Sequence, residues 1–86
     1  MKIYYSSKFQ REYKKLSPAA KLSAEVKEEI FRKDPHDPRL KTHQLTGPLK
    51  GFWAFSIDIK TRIIFEFKSK QVVWFHSTGS HDIYKR

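Results

Sequence analysis

The stretch Phe52-Trp53-Ala54-Phe55-Ser56-Ile57-Asp58-Ile59-Lys60-Thr61-Arg62-Ile63-Ile64-Phe65-Glu66-Phe67 carries two runs of alternating side chains. In the first, Trp53, Phe55, Ile57 and Ile59 point one way, and Phe52, Ala54, Ser56 and Asp58 the other. In the second, Ile63, Phe65 and Phe67 share a side opposite Arg62, Ile64 and Glu66. A period of two is the pattern of a strand with one buried face. Val72–Ser77 predicts a third strand, set off from the second by Lys68-Ser69-Lys70. The connections are short enough for antiparallel hairpins.

Upstream the period is helical. Phe9, Tyr13 and Leu16 recur at i, i+4 and i+7, and Ser7 with Gln10 fits a capping box at the start of a short helix. Ser17-Pro18 restarts the pattern, with serine as cap and proline at the first helical position. Ala19, Leu22, Val26 and Ile30 form the apolar stripe expected for this second helix, which Asp34-Pro35-His36-Asp37-Pro38 ends. Lys2–Tyr5 reads as an opening strand. The expectation is an α+β fold of order β-α-α-β-β-β, with a helical hairpin packed on one face of a curved antiparallel sheet. The opposite face stays partly open and carries polar and basic side chains. A single domain spanning 1–86 is expected.

Composition narrows the class. The 86 residues hold 18 Lys+Arg against 9 Asp+Glu, a net charge of +9, with 4 His and no Cys. Disulfide and thiolate chemistry are therefore excluded. Nine basic and five acidic residues fall in 1–35, nine and four in 36–86, so the body of the protein is basic rather than one tail. Such a charge suits a polyanionic or acidic partner. No uninterrupted apolar run exceeds the four residues of Phe52–Phe55, far from the roughly 20 needed to span a bilayer. Residues 1–15 are basic without an apolar core, so no secretory leader is read there and a cytoplasmic location is expected.

Two histidines lie where strand ends meet loops: His43, in Thr42-His43-Gln44-Leu45-Thr46-Gly47-Pro48-Leu49-Lys50-Gly51, and His81, in Thr78-Gly79-Ser80-His81-Asp82-Ile83-Tyr84. Imidazoles titrate near neutrality, so a pair of them suits acid–base cleavage of a phosphodiester, with a fixed cation for the developing charge. Arg62, or Lys50, fits that third part. Each also has a plainer reading, as a loop or turn residue or an exposed sheet cation. His36 reads as a surface loop residue and His76, alternating with Phe75, as a wall residue. The four histidines show no metal-binding spacing, so neither a metal nor a cofactor is expected. The lysines, Lys50 and Lys60 among them, are individually ordinary and together favour RNA through counterion release.

The strand order and three motifs resemble the RelE/ParE toxin superfamily, and within it RelE-like mRNA interferases of the YafQ type. The motifs are His43 to Gly51, the strand start Arg62-Ile63-Ile64-Phe65, and Thr78 to Tyr84. The resemblance implies the toxin of a type II toxin–antitoxin system, a metal-independent endoribonuclease that cuts mRNA in the ribosomal A site. It implies His43 and His81 as the catalytic base and acid in either order, Arg62 beside the transition-state phosphate, and Tyr84 positioning substrate. Lys50 and Lys60 are the expected RNA contacts. A cognate antitoxin with an acidic C-terminal segment is the expected partner, beside the ribosome and mRNA. Where the YafQ pattern has a further histidine and an aspartate, this chain has Ser56 and Lys60. The lysine pair of RelE is replaced by Trp53 and Phe55. The alternative is a non-enzymatic ParE-like toxin that binds a protein target such as gyrase.

Overall fold

A computed structural model describes residues 1–80. Strand β1 (Lys2–Tyr5) leads into helices α1 (Ser7–Lys14) and α2 (Pro18–Lys33). Strands β2 (His43–Gln44), β3 (Trp53–Ser56), β4 (Thr61–Phe67) and β5 (Val72–Ser80) follow. The sheet order is β1-β5-β4-β3-β2, antiparallel except that β1 runs parallel to β5, from Lys2 opposite Val72 to Tyr5 opposite Phe75. The expected order therefore stands, with an added two-residue strand β2 paired to β3 and one parallel pairing that makes the sheet mixed. No helix among the described residues is long and apolar enough to cross a membrane.

Local chemistry sets the helix ends. Ser17 caps α2, its side chain accepting from the Ala20 amide at 3.1 Å, with Pro18 in the first turn as expected. The cap of α1 lies one residue before the expected Ser7. Ser6 accepts from the Phe9 amide at 2.9 Å, while the Gln10 side chain donates to the Tyr5 carbonyl.

Both helices lie on one face of the sheet, where Phe9, Ala24, Phe31, Leu40, Phe55, Ile63, Phe65 and Phe75 share a core. Phe31 is its hub: fully buried, stacked on Phe55 with centroids 4.8 Å apart and edge-on to Phe65 at 5.0 Å. The stripe that α2 buries is Ala20, Ala24 and Phe31; of the expected Ala19, Leu22, Val26 and Ile30, Ile30 alone packs against the core, half-buried. Leu22 and Val26 are 65% and 58% exposed. Phe31, inserted among Phe55, Phe65 and Phe75, fixes which side of α2 turns inward, and Ala24 and Ala20 fall on that side while Leu22 and Val26 face out. Ile59 likewise leaves the expected strand, since β3 ends at Ser56 and Ile59 sits 93% exposed in the turn.

Candidate functional site

Residues paired across a sheet point to the same face. On the face away from the helices, Ser77, Ile64, Ala54 and His43 form one row across β5, β4, β3 and β2. Gly79, Arg62 and Ser56 form the next row toward the β3–β4 turn. The connection from β2 to β3 folds over part of this face, packing Leu45, Leu49 and Phe52 on Ala54 and Ile64. A tight turn at Gly47–Leu49 and Gly51, with φ of +97°, brings it back into β3.

His43 is exposed on edge strand β2. Its Nδ1 lies 3.0 Å from the Lys41 carbonyl oxygen. A carbonyl only accepts, so Nδ1 carries the proton and a neutral ring leaves the Nε2 lone pair free to take another. Arg62 is tied down at one end. Its Nη1 donates to the carbonyls of Asp58 (2.9 Å), Ile59 (3.1 Å) and Thr61 (3.3 Å). Asp58 organises the same turn, Oδ1 accepting from the amides of Lys60 at 2.9 Å and Thr61 at 2.7 Å. Partial burial works to raise the Asp58 carboxyl, but the Thr61 and Lys60 hydrogen bonds and the Arg62 charge outweigh it and hold the pKa below its usual value.

His43 and Arg62 thus share a face, two strands and two residues apart, roughly 12 Å between Cα atoms. Lys60 is exposed in the turn beside Arg62, and Thr61 pairs with Ser80, so β5 delivers the chain to that same end. His81 and Tyr84 lie outside the described residues. Lys50 is exposed in the β2–β3 connection, at the opposite end of β3 from Lys60.

Sequence reading did not single out the cluster around His76. A bulge between Ile64 and Phe65 and the facing strand leaves His76 without a cross-strand partner. His76 and Ser77 therefore both belong to the open face. The imidazole Nε2 lies 3.0 Å from Glu66 Oε1, which also pairs with Lys68 Nζ at 3.3 Å. The His76 hydrogen bond, with Lys68 behind it, overcomes the opposing effect of burial and lowers the Glu66 pKa. Only the odd histidine in an aromatic strand signalled this in the sequence, and no local pattern marks a bulge. Two hollows flank the sheet. One of about 270 Å³ opens on this face beside His76. The larger, about 440 Å³, lies on the helix side against Phe9 and Phe75 and holds none of the residues expected to be functional. Among the described residues, no three His, Asp or Glu side chains come together as a metal-holding group.

No protein-family model and no curated protein matches the chain. Solved structures do. YafQ from E. coli strain BL21(DE3) superposes with a TM-score of 0.71 at 21% identity, over 95% of this chain and 94% of that one. The chain has the RelE-like toxin fold. A YoeB/ParE toxin from Agrobacterium tumefaciens shares that fold at a TM-score of 0.77 and 16% identity, over 94% and 99% of the two chains. The E. coli DinJ–YafQ toxin–antitoxin complex matches at 0.68 and 22%, over 94% and 92%. The RelE-like fold thus covers nearly the whole length of each.

Proposed function

We propose that the chain is the toxin of a toxin–antitoxin pair and acts in the cytoplasm as a ribosome-dependent, metal-independent endoribonuclease on mRNA. One observation carries the reading. In a RelE-like fold, His43 and Arg62 share the open face, and β5 ends at the row beside Arg62, next in sequence to His81. One imidazole takes the proton from a ribose 2′-OH, and O2′ attacks the adjacent phosphorus. The other protonates the departing 5′-oxygen, leaving a 2′,3′-cyclic phosphate and a 5′-hydroxyl. The Arg62 guanidinium, held by turn carbonyls through Nη1, turns its remaining N–H groups to the pentacoordinate charge. Tyr84 positions substrate, and Lys50 and Lys60 hold the strand electrostatically. An antitoxin with an acidic C-terminal segment covers the basic face and silences it, as the +9 charge favours.

Induced expression of wild type and His81→Ala, read by growth and by mapping of mRNA ends, tests this. New mRNA ends and arrest with wild type, both lost in His81→Ala, are expected. Undiminished toxicity in both His43→Ala and His81→Ala overturns the catalytic reading. The protein-binding, ParE-like alternative is favoured by a single observation, the commitment of Arg62 to three turn carbonyls. Arrest without new mRNA ends would select it.

A further inference from the structure

The hollow of about 270 Å³ on the open face lies between the start of α1 and the bulged part of β5, bounded by Ser6, Lys8, Phe52, Ile64, His76 and Ser77. Three kinds of donor meet there. The first is the N-terminus of α1, an eight-residue helix with no acidic residue in its first turn. Ser6 caps the Phe9 amide alone, so the earlier amides of the turn keep their positive ends unmet by the cap. Lys8 is the second, its side chain half exposed and its ammonium 3.5 Å from Glu12.

Ser77 is the third and the most telling. It is only 5% exposed, and among the described residues no group is hydrogen-bonded to its hydroxyl. A buried hydroxyl left unmet is unfavourable, and a ligand oxygen in the hollow satisfies it. The opposite wall is formed by Ile64 and by Phe52, which stands edge-on to His76 with centroids 4.8 Å apart. Glu66, the carboxylate hydrogen-bonded to His76, is paired with Lys68 at 3.3 Å. A helix N-terminus, a hydroxyl and a lysine ammonium are all groups that bind an oxyanion.

We propose that this hollow is a phosphate-binding subsite that holds a backbone phosphate of the RNA one nucleotide from the bond presented to Arg62. The assignment to RNA rests on the endoribonuclease reading above. Ile64 and Ser77 lie one row from Arg62 and Gly79, roughly 7 Å along the strands, a step comparable with that between neighbouring phosphates of an extended strand.

Amide NMR titrations of the full chain test the proposal, with inorganic phosphate in one arm and a 2′-O-methyl RNA oligonucleotide, which cannot be cleaved, in the other. Ionic strength is matched with chloride. Saturable shifts at Ser7, Lys8 and Ser77 are expected with both ligands. Lys8→Gln and Ser77→Ala each weaken binding about tenfold, the loss of one charge-assisted or buried hydrogen bond, while Lys14→Gln at the far end of α1 does not. Shifts at these residues no larger than those with chloride overturn the site. Shifts with phosphate but none with the oligonucleotide overturn its assignment to RNA. Failure of the endoribonuclease reading shows separately, as an absence of new mRNA ends on induction, and leaves the inorganic phosphate arm able to stand alone.

Discussion

The Nε2 of His76 lies 3.0 Å from Oε1 of Glu66, across the one irregular step in the β4–β5 pairing. The bond and Lys68 lower the Glu66 pKa from its ordinary value of 4.5. A carboxyl depressed in the folded state contributes stability above its unfolded pKa and loses it as pH falls through the folded one. Acidification below 4.5 therefore weakens the fold at this point. Glu66→Gln abolishes that part of the acid sensitivity, no more than about 1 kcal/mol for a pair this exposed. Urea midpoints of the two proteins near neutral and acid pH give the measurement. An identical acid loss in both would show that Glu66 is not its source.

Phe31 joins three aromatic residues of the sheet to α2. Phe31→Ala removes that hub and costs about 3–5 kcal/mol, a large share of the total for a small domain. Denaturant unfolding should place the variant near the limit of folding. Phe31→Leu should recover a good part of the loss.

The β3–β4 turn depends on two groups that act together. Asp58→Ala frees the amides of Lys60 and Thr61 and is expected to cost about 1–2 kcal/mol. Arg62→Gln releases the turn carbonyls at about 1 kcal/mol. Because both hold the same turn, the double variant should cost less than the sum of the two. Hydrogen exchange at Thr61 and Lys60 reads the local effect directly. Additive costs would mean that the two groups act independently.

His43 is exposed and makes its one described hydrogen bond to a neighbouring carbonyl. On the proposed endoribonuclease reading, His43→Ala leaves stability within about 0.5 kcal/mol and lowers mRNA cleavage by about 10²- to 10⁴-fold. Thermal unfolding and end mapping on the same preparation separate the two effects.

On α2, Leu22→Gln is expected to change stability by less than about 0.5 kcal/mol, since the side chain faces out. Ala24→Asn, at a buried core position, is expected to cost about 1–3 kcal/mol by burying an amide without partners. The opposite ranking would restore the stripe read from hydropathy alone.

That stripe marks where sequence legibility stopped. Alternation along Phe52–Phe67 located β3 and β4, and Ser17-Pro18 located the start of α2, because both signals are local. The inward face of α2 was hidden, since Leu22 and Val26 outrank Ala20 and Ala24 in hydropathy while the seating of Phe31 among the sheet aromatics sets which side turns in. The two-residue β2 is too short to show a period. The parallel pairing of β1 with β5 joins segments some 70 positions apart, and no window along the chain contains both. For the site, His43 and Arg62 were visible as residue types at strand and loop boundaries. Their common face, the turn that holds Arg62 and the Ser77 hollow depend on pairing register and the bulge, which only the assembled sheet defines.

The β1–β5 pairing also bears on when this protein becomes able to act. Lys2–Tyr5 is the first strand of the described chain, yet its hydrogen-bonding partner is the last described strand. Until Val72–Ser80 has been synthesised, β1 has no neighbour, and β4 lacks the strand that separates it from β1. The nascent chain cannot complete its sheet piece by piece. Its open face, with Arg62 and Ser77 side by side, is complete only once β5 has taken its place between β1 and β4.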